Sequence, residues 1–373
     1  MIEIVDSGIL FRNPHPDLRP IHACFPLTLQ LSSREMICIY RHGSALGSVD
    51  GRVAQLRSPD GGRTWTNEGI IWDGSRDDRN YCYRGACPSM LSDGTIVISC
   101  SRFERLDPDQ PLFNPETEGT LPCQVVLFRS GDGGHNWTAP QVVPLPDGII
   151  GNNSGSIIET GDGRLLMPIE TWKAYEDPTP PKQRAMALFS DDRGKTWGEP
   201  TVVGDGVADG VYYWDQRMIK LSDGRLFVMF WTHSLAADKD IAVHRAISED
   251  GGRTWTKPEA TNIKGQVTYP AQLRDGRMLA AYNLRYADQP GVMATLSEDG
   301  GRTWDLSNQV AVWDAGGQAR VGVAAGNREL QQHVTISFGF PSARLLDDGE
   351  VLASFWCTEA CVTHIRWCRI RVA

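Results

Sequence analysis

Two carboxylates stand out as residues that could act on a bound molecule: Glu170, in the run "MPIETW" that reads as the end of a buried strand, and Asp215, inside "YYWDQ". Breaking a glycosidic bond requires such a pair, one carboxyl protonated and the other ionised. Asp50 and Glu359 are further carboxylates open to the same use. Arg41 and His42 in "YRHG", with Tyr83 and Arg84 in "YCYRG", suit a different chemistry. In β-elimination at a uronate, Arg offsets negative charge while His or Tyr removes and returns protons. Each residue also has a structural reading, because aromatics dominate core burial and single carboxylates are commonly just exposed.

These residues are scattered along the chain, so a repeated framework must bring them together. The phrase "SEDGGRTW" occurs twice unchanged, and near-copies begin at Ser58, Ser130 and Ser190. Their aspartates, Asp60, Asp132, Asp192, Asp250 and Asp299, are 72, 60, 58 and 49 residues apart, the size of one four-stranded unit with its loops. The phrase has the chemistry of a tight turn. Asp accepts hydrogen bonds from the turn backbone, Gly supplies positive φ, and Trp starts the next strand. One carboxylate per turn falls far short of the six to eight oxygens calcium takes. Six further segments, such as "LSDGTIVIS" and "LSDGRLFVMF", read as Asp-Gly hairpins feeding a buried strand.

The expected fold is all-β, a six-bladed propeller of four-stranded antiparallel blades spanning residues 1–373 as one domain. "IEIVDSGILF" reads as an outer strand with no unit before it, and "VTHIRWCRIRV" as a third strand with no turn phrase after it. The two ends then complete one blade, which removes exposed sheet edges. A formal charge of −9 without a Lys/Arg cluster argues against nucleic acid or an anionic membrane as partner. No signal segment or membrane span is read, so a cytoplasmic location is expected. Nine cysteines without a C-x-x-C pair read as reduced structural thiols, and Cys82 with Cys87, or Cys357 with Cys361, lacks the partners of a zinc site. No metal or cofactor is called for, and no motif specifies an oligomeric state.

The turn phrase and the count of six resemble the sialidase superfamily, whose propellers carry such turns on the face away from the substrate funnel. The resemblance covers essentially the whole chain. It implies three arginines on a substrate carboxylate, a Tyr nucleophile with an assisting Glu, and an Asp acid/base. In register, the first arginine position holds Cys24, the assisting Glu is Asp215, the second arginine is Trp231 and the nucleophile is Phe340. Arg12 in "FRNP" lies too early in the chain, and Asp50 is about three residues out of register with the acid/base position. Neither Cys nor Trp can clamp a carboxylate and Phe cannot attack, so true sialidase chemistry is not expected.

The same register puts other residues at the funnel. Blade 1 contributes His22, Arg41, His42 and Asp50, and blade 2 Tyr81, Tyr83, Arg84, Arg102 and Glu104. Blade 3 adds Asn152, Asn153, Glu170 and Trp172; blade 4 adds Tyr213, Trp214, Asp215, Trp231 and His233. From blades 5 and 6 come Tyr269, Tyr282, Asn283, Arg285, Arg320, His333, Trp356 and Glu359. Aromatic faces among amides and charges fit a carbohydrate. The catalytic candidates are Asp215, Glu170, His42, Arg41 and Asp50. Expected to bind substrate are Tyr83, Arg84, Asn153, Trp172, Tyr213, Trp231, His233, Arg285 and Trp356. The insert from Arg102 to Cys123 is expected to form a rim or lid, and "GGQARVGVAAGNRELQQHV" a second wall. The leading expectation is cleavage of a glycosidic bond in a small acidic oligosaccharide. A uronate lyase and a glycan-binding propeller without turnover remain alternatives.

Overall fold

The computed structural model describes residues 1–316 and 336–373. Arg320, His333 and nearly all of the second expected wall fall outside the described residues. The rest forms six sheets, each built on four strands in antiparallel meander order. Blade 1 runs His22–Gln30, Met36–Gly43, Arg52–Ser58 and Thr66–Ile70 from the axis outward. Blade 2 runs Tyr81–Met90, Ile96–Glu104, Cys123–Ser130 and Gln141–Val143. In blade 3 the inner strand is broken into Ile150–Asn153 and Ile158–Glu159, followed by Leu165–Trp172, Arg184–Ser190 and Thr201–Asp205. Blade 4 comprises Val211–Lys220, Leu226–Ser234, His244–Ser248 and Glu259–Ala260, with Lys239–Asp240 as an added short strand. Blade 5 comprises Thr268–Gln272, Met278–Leu284, Gly291–Ser297 and Val310–Asp314.

Blade 6 is built from both chain ends. Phe338–Leu345, Val351–Glu359 and Val362–Val372 are completed by Ile2–Phe11, with Ile2 opposite Val372 and Phe11 opposite Ile365. The Met1 ammonium donates to the Ala373 carbonyl at 2.8 Å, and Ala373 N–H donates back to Met1 at 3.0 Å. Among the described residues no helix is long and apolar enough to cross a membrane.

The core is divided among the six junctions. Each large apolar cluster joins side chains of two neighbouring blades, such as Met36 and Tyr40 with Leu352 and Trp356 at the closing junction. Burial on both faces explains why the middle strands read as unbroken apolar runs. The five turn phrases share one hydrogen-bond pattern. In the first, Ser58 Oγ donates to Asp60 at 2.8 Å, while Thr64 N–H and Oγ donate to the same carboxylate at 2.9 and 2.6 Å. Those bonds hold the Asp60 carboxyl down at about 2 despite some burial. Its oxygens are engaged by the turn, as its sequence chemistry implies.

Three junctions carry an additional fastening. Arg57 donates to the Gly133 carbonyl in the blade 2 turn phrase at 3.1 Å, and Arg129 to Gly194 in the blade 3 phrase at 3.1 Å. Arg369 does the same to Gly61 at 2.6 Å, fastening the closing blade to blade 1. Arg369 is 2% exposed and also binds Asp348 and Glu350 at 2.7 and 2.6 Å. Replacing it with Met leaves two carboxylates and a carbonyl without their donor. The Arg369→Met variant is expected to lose about 3 kcal/mol in denaturant unfolding, against under about 1 kcal/mol for Arg371→Met, whose guanidinium is largely in water. Equal losses would show that the fastening is not what matters.

Candidate functional site

The inner strands converge on a cavity of about 480 Å³ at the end of the ring opposite the turn phrases. What aims side chains into it is a repeated backbone irregularity. Blades 1, 2, 4 and 6 each carry a bulge near the start of the inner strand, between Cys24 and Leu27, Arg84 and Cys87, Trp214 and Arg217, and Gly339 and Ser342. The first bulged residue has positive φ every time: Phe25 at 57°, Gly85 at 68°, Asp215 at 47° and Phe340 at 50°. All four line the cavity. Only glycine adopts this conformation freely, so three of the four positions hold strain that the surrounding sheets must maintain.

The bulge corrects one register reading. Cys24 is fully buried beneath the cavity, and its neighbour Phe25 lines it instead. Neither is an arginine. Trp231 and Phe340 line the cavity at the positions where the family resemblance implies an arginine and a nucleophile.

Glu170 and Asp215, from adjacent blades, share the cavity. Glu170 lies two residues before the end of the second strand of blade 3, opposite Asn152 and Ala185. Gln216 stitches the bulge of blade 4 onto blade 3, donating to the Ile169 and Met186 carbonyls at 2.7 and 3.0 Å. Burial, reinforced by the negative charge of Asp215, pushes the Glu170 carboxyl up to about 8. Asp215 is also raised by burial, but Arg217, Arg84 and Arg285 all oppose that rise. Arg217 donates to it at 3.1 Å. Burial thus raises both carboxyls of this pair, and the guanidinium groups counter that rise at Asp215.

The remaining lining is uneven in character. On the blade 3 side, Glu170 Oε1, Asn152 Oδ1, Asn153 Oδ1, Trp172 Nε1 and Gln183 Nε2 are buried and make no hydrogen bond within the protein. On the opposite side stand Phe25, Pro26, Leu46, Ile336, Phe340 and Pro341. Arg84 enters between them, its guanidinium 4.8 Å from the ring of Phe25 and 5.8 Å from that of Phe113. Arg285, expected to bind substrate, is not among the lining residues; it lies behind them, 5.3 Å from the ring of Trp231, with both terminal nitrogens buried and unbonded.

Of the residues expected at the funnel, Asp215, Glu170, Arg84, Asn152, Asn153, Trp172, Trp214 and Trp231 line the cavity. The others lie elsewhere. Arg41 is buried and donates to the Ala45 and Ser48 carbonyls at 2.7 and 3.0 Å, so it shapes the blade 1 loop. Asp50 closes the same loop by accepting from Ser44 N–H at 3.0 Å. His42 packs edge-on against Phe11 and Tyr40. Tyr83 donates to Asp77 at 2.7 Å within the blade 1/2 junction, and Tyr213 is bonded to His244 at 3.1 Å in the blade 3/4 junction. His233 is buried behind Trp214 and bonded to Asp240 at 3.1 Å. Trp356 lies beneath Phe25, fully buried. These side chains alternate with cavity-facing ones along strands buried on both faces, where apolar pattern does not separate funnel from core. Phe25, Phe113, Gln183, Tyr212 and Arg217 also line the cavity, and no motif marks them; only the bulges place Phe25 and Arg217 there.

The insert after Glu104 is docked, as a rim should be. Thr120 N–H donates to the Lys173 carbonyl at 3.0 Å, and Asn114 and Thr117 donate to the Tyr175 carbonyl at 3.0 and 2.5 Å. Phe113 stacks on Trp172 at 4.7 Å between ring centres. Gly119 is the close approach that permits this, since a Cβ there would lie 2.1 Å from the Ala174 carbonyl oxygen. Gly119→Val is expected to release the insert while the blades stay folded, read as faster proteolysis between residues 105 and 122 with an unchanged far-ultraviolet spectrum. Unchanged proteolysis would rule out this contact as the latch.

A ring of six blades closed by its own ends, with its cavity opposite the turn phrases, defines a propeller of the sialidase superfamily. The chain belongs to the family described as the BNR repeat-like domain, whose model matches residues 112–307 and, in a second overlapping register, 187–339. It is 26% identical over 277 residues to a sialidase of Micromonospora viridifaciens, a match covering 66% of this chain and 38% of that relative's length. Among solved structures it resembles a protein of unknown function from Dyadobacter fermentans, with TM-score 0.75 and 21% identity over 100% of this chain and 99% of the other. It also resembles a Penicillium chrysogenum alpha-L-arabinanase solved with arabinobiose, with TM-score 0.65 and 13% identity over 98% of each chain. At these identities the structural likenesses establish the fold.

Proposed function

We propose that this chain hydrolyses a glycosidic bond in a small acidic oligosaccharide, with Glu170 as general acid and Asp215 as its ionised partner. The observation that carries the reading is the pair itself: two buried carboxyl groups in one cavity, one of them, Asp215, set among guanidinium groups. Glu170 holds a proton near neutral pH because burial and Asp215 disfavour its charge. Asp215 is the ionised partner in this reading, because three guanidinium groups counter the rise that burial imposes on it. That division of labour is what cleavage by two carboxyl groups requires. Arg84, held between aromatic faces, presents a planar set of donors suited to a sugar carboxylate. The unbonded polar atoms of blade 3 would read hydroxyls, and Phe25 and Trp172 would offer apolar faces.

The likeness to a sialidase and an arabinanase supports carbohydrate as the ligand class. Elimination finds less support, because Arg41, His42 and Asp50 are not among the residues lining the cavity. A binding role without turnover predicts retained affinity with no product.

Two tests separate these outcomes. Reducing-end release from uronate-containing oligosaccharides is expected in the wild type without the ultraviolet absorbance of an unsaturated uronate. Glu170→Gln and Asp215→Asn should each lower kcat at least about 100-fold, and Arg84→Ala should raise KM for acidic more than for neutral substrates. Because Glu170 must be protonated, activity should fall as pH rises through about 8. Hydrolysis undiminished in Glu170→Gln would remove it as the acid.

The raised affinity of Glu170 for its proton also has a stability consequence. A carboxyl that binds its proton more tightly when folded favours the native state fully below its unfolded value, and that contribution is lost as pH rises through the folded one. At about pH 9 the wild type must ionise or unfold around this group, whereas Gln cannot ionise. Glu170→Gln should therefore melt at or above the wild-type temperature at that pH, even while inactive; a lower melting temperature would argue against a buried, charge-averse Glu170.

A further inference from the structure

Away from the cavity floor, the second and third strands of blade 6 bring together Cys357, Glu359 and His364. Cys357 and His364 are cross-strand partners, and Glu359 lies at the turn that joins the strands. Their ligand atoms all lie within 4.8 Å of one another, with His364 Nε2 at 2.8 Å from Glu359 Oε2 and 3.6 Å from Cys357 Sγ. The sequence pairs Cys357 with Cys361, but Cys361 is exposed at the turn, and the fold supplies Glu359 and His364 instead.

The histidine's own bonds make this arrangement unusual. Its Nδ1 is 3.1 Å from the Val362 carbonyl, which can only accept, so Nδ1 carries a hydrogen. A neutral imidazole then turns the lone pair of Nε2 towards both a carboxylate oxygen and a sulfur. At 2.8 Å, two electron-rich atoms need a positive centre between them, a proton or a metal ion. A proton on Nε2 makes one short bond, whereas a divalent cation can satisfy nitrogen, oxygen and sulfur together.

We infer that Cys357, Glu359 and His364 bind a thiophilic divalent cation of the zinc type, with a fourth coordination position left open. The 3.6 Å between sulfur and nitrogen fits tetrahedral bonds of about 2.3 and 2.0 Å to one ion. The oxygen and nitrogen must separate by a few tenths of an ångström, and Glu359, whose side chain is 31% exposed, has room to do so. Charge balances: the ion brings two positive charges, and two protons leave to water, one from Nε2 and one from the thiol. The Val362 carbonyl fixes the ring, while Trp313 Nε1 and Arg366 each donate to Glu359 at 2.9 Å. Such outer hydrogen bonds orient metal ligands and tune their affinity. Arg366 also competes for the carboxylate, so affinity below that of a four-ligand structural site is expected. Because a thiol must lose its proton to ligate a metal, uptake should release protons and strengthen with pH. Cys357 packs with Trp313 and Phe338, so the ion would brace the junction of blades 5 and 6.

Cobalt(II) titrated into the metal-free chain at about pH 8 tests this directly. One equivalent should produce a near-ultraviolet thiolate-to-cobalt band together with the visible bands of a four-coordinate ion, and zinc should displace both. Cys357→Ser should abolish the near-ultraviolet band, and His364→Gln should weaken cobalt binding at least about tenfold, with both variants checked for cooperative melting. No thiolate band in the wild type, or a band that survives in Cys357→Ser, would overturn the assignment. The readout involves no sugar, so its result stands apart from the proposed hydrolysis.

Discussion

A propeller blade is apolar on both faces and cannot bury either one alone. That constraint organises the protein: the core is partitioned into blade-to-blade clusters, and the ring must close for the last cluster to exist. Closure comes from pairing Ile2–Phe11 with Val362–Val372, which leaves the sixth blade without a covalent link between its outer two strands but with a full antiparallel register. Arg369 adds a polar fastening at the junction between this blade and blade 1, where a break would open the whole ring.

The same closure creates the cavity. Six inner strands brought to one axis leave a central space, and bulges in four of them turn Phe25, Gly85, Asp215 and Phe340 towards it. Positive φ at three non-glycine residues is costly in an isolated strand and is held here by sheets packed on either side. Low solvent access then does the electrostatic tuning. It raises both carboxyls, while Arg217, Arg84 and Arg285 counter the rise at Asp215 and Arg217 that at Glu170. A single buried acid without that asymmetry would have no reason to divide into proton holder and charge holder.

Much of this was legible residue by residue where the controlling physics is local. The turn phrases form because Ser, Asp, Gly and Thr satisfy one another within a few positions, and the hydrogen bonds from Thr64 to Asp60 are the same in kind as those from Thr254 to Asp250. Glu170 and Asp215 were reachable by counting from such turns, since a strand of known length delivers its end to a known place. Tyr83, Tyr213, His233 and Trp356 were misplaced for a definite reason. Alternation tells the two faces of a strand apart only when one face meets water, and in these blades both meet protein.

By itself, then, the sequence determined the repeat, the number of blades, the pairing of its two ends and the strand ends at which chemistry could sit, because turns and strands are written in short-range hydrogen bonding and apolar runs. Only the tertiary structure decided which side chains of those strand ends reach the cavity, that Phe25 rather than Cys24 faces it, and that Cys357 meets His364 and Glu359 instead of Cys361. Bulges, burial and the proximity of charges from different blades set those outcomes, and each depends on residues far apart in the chain that meet only once the ring has closed.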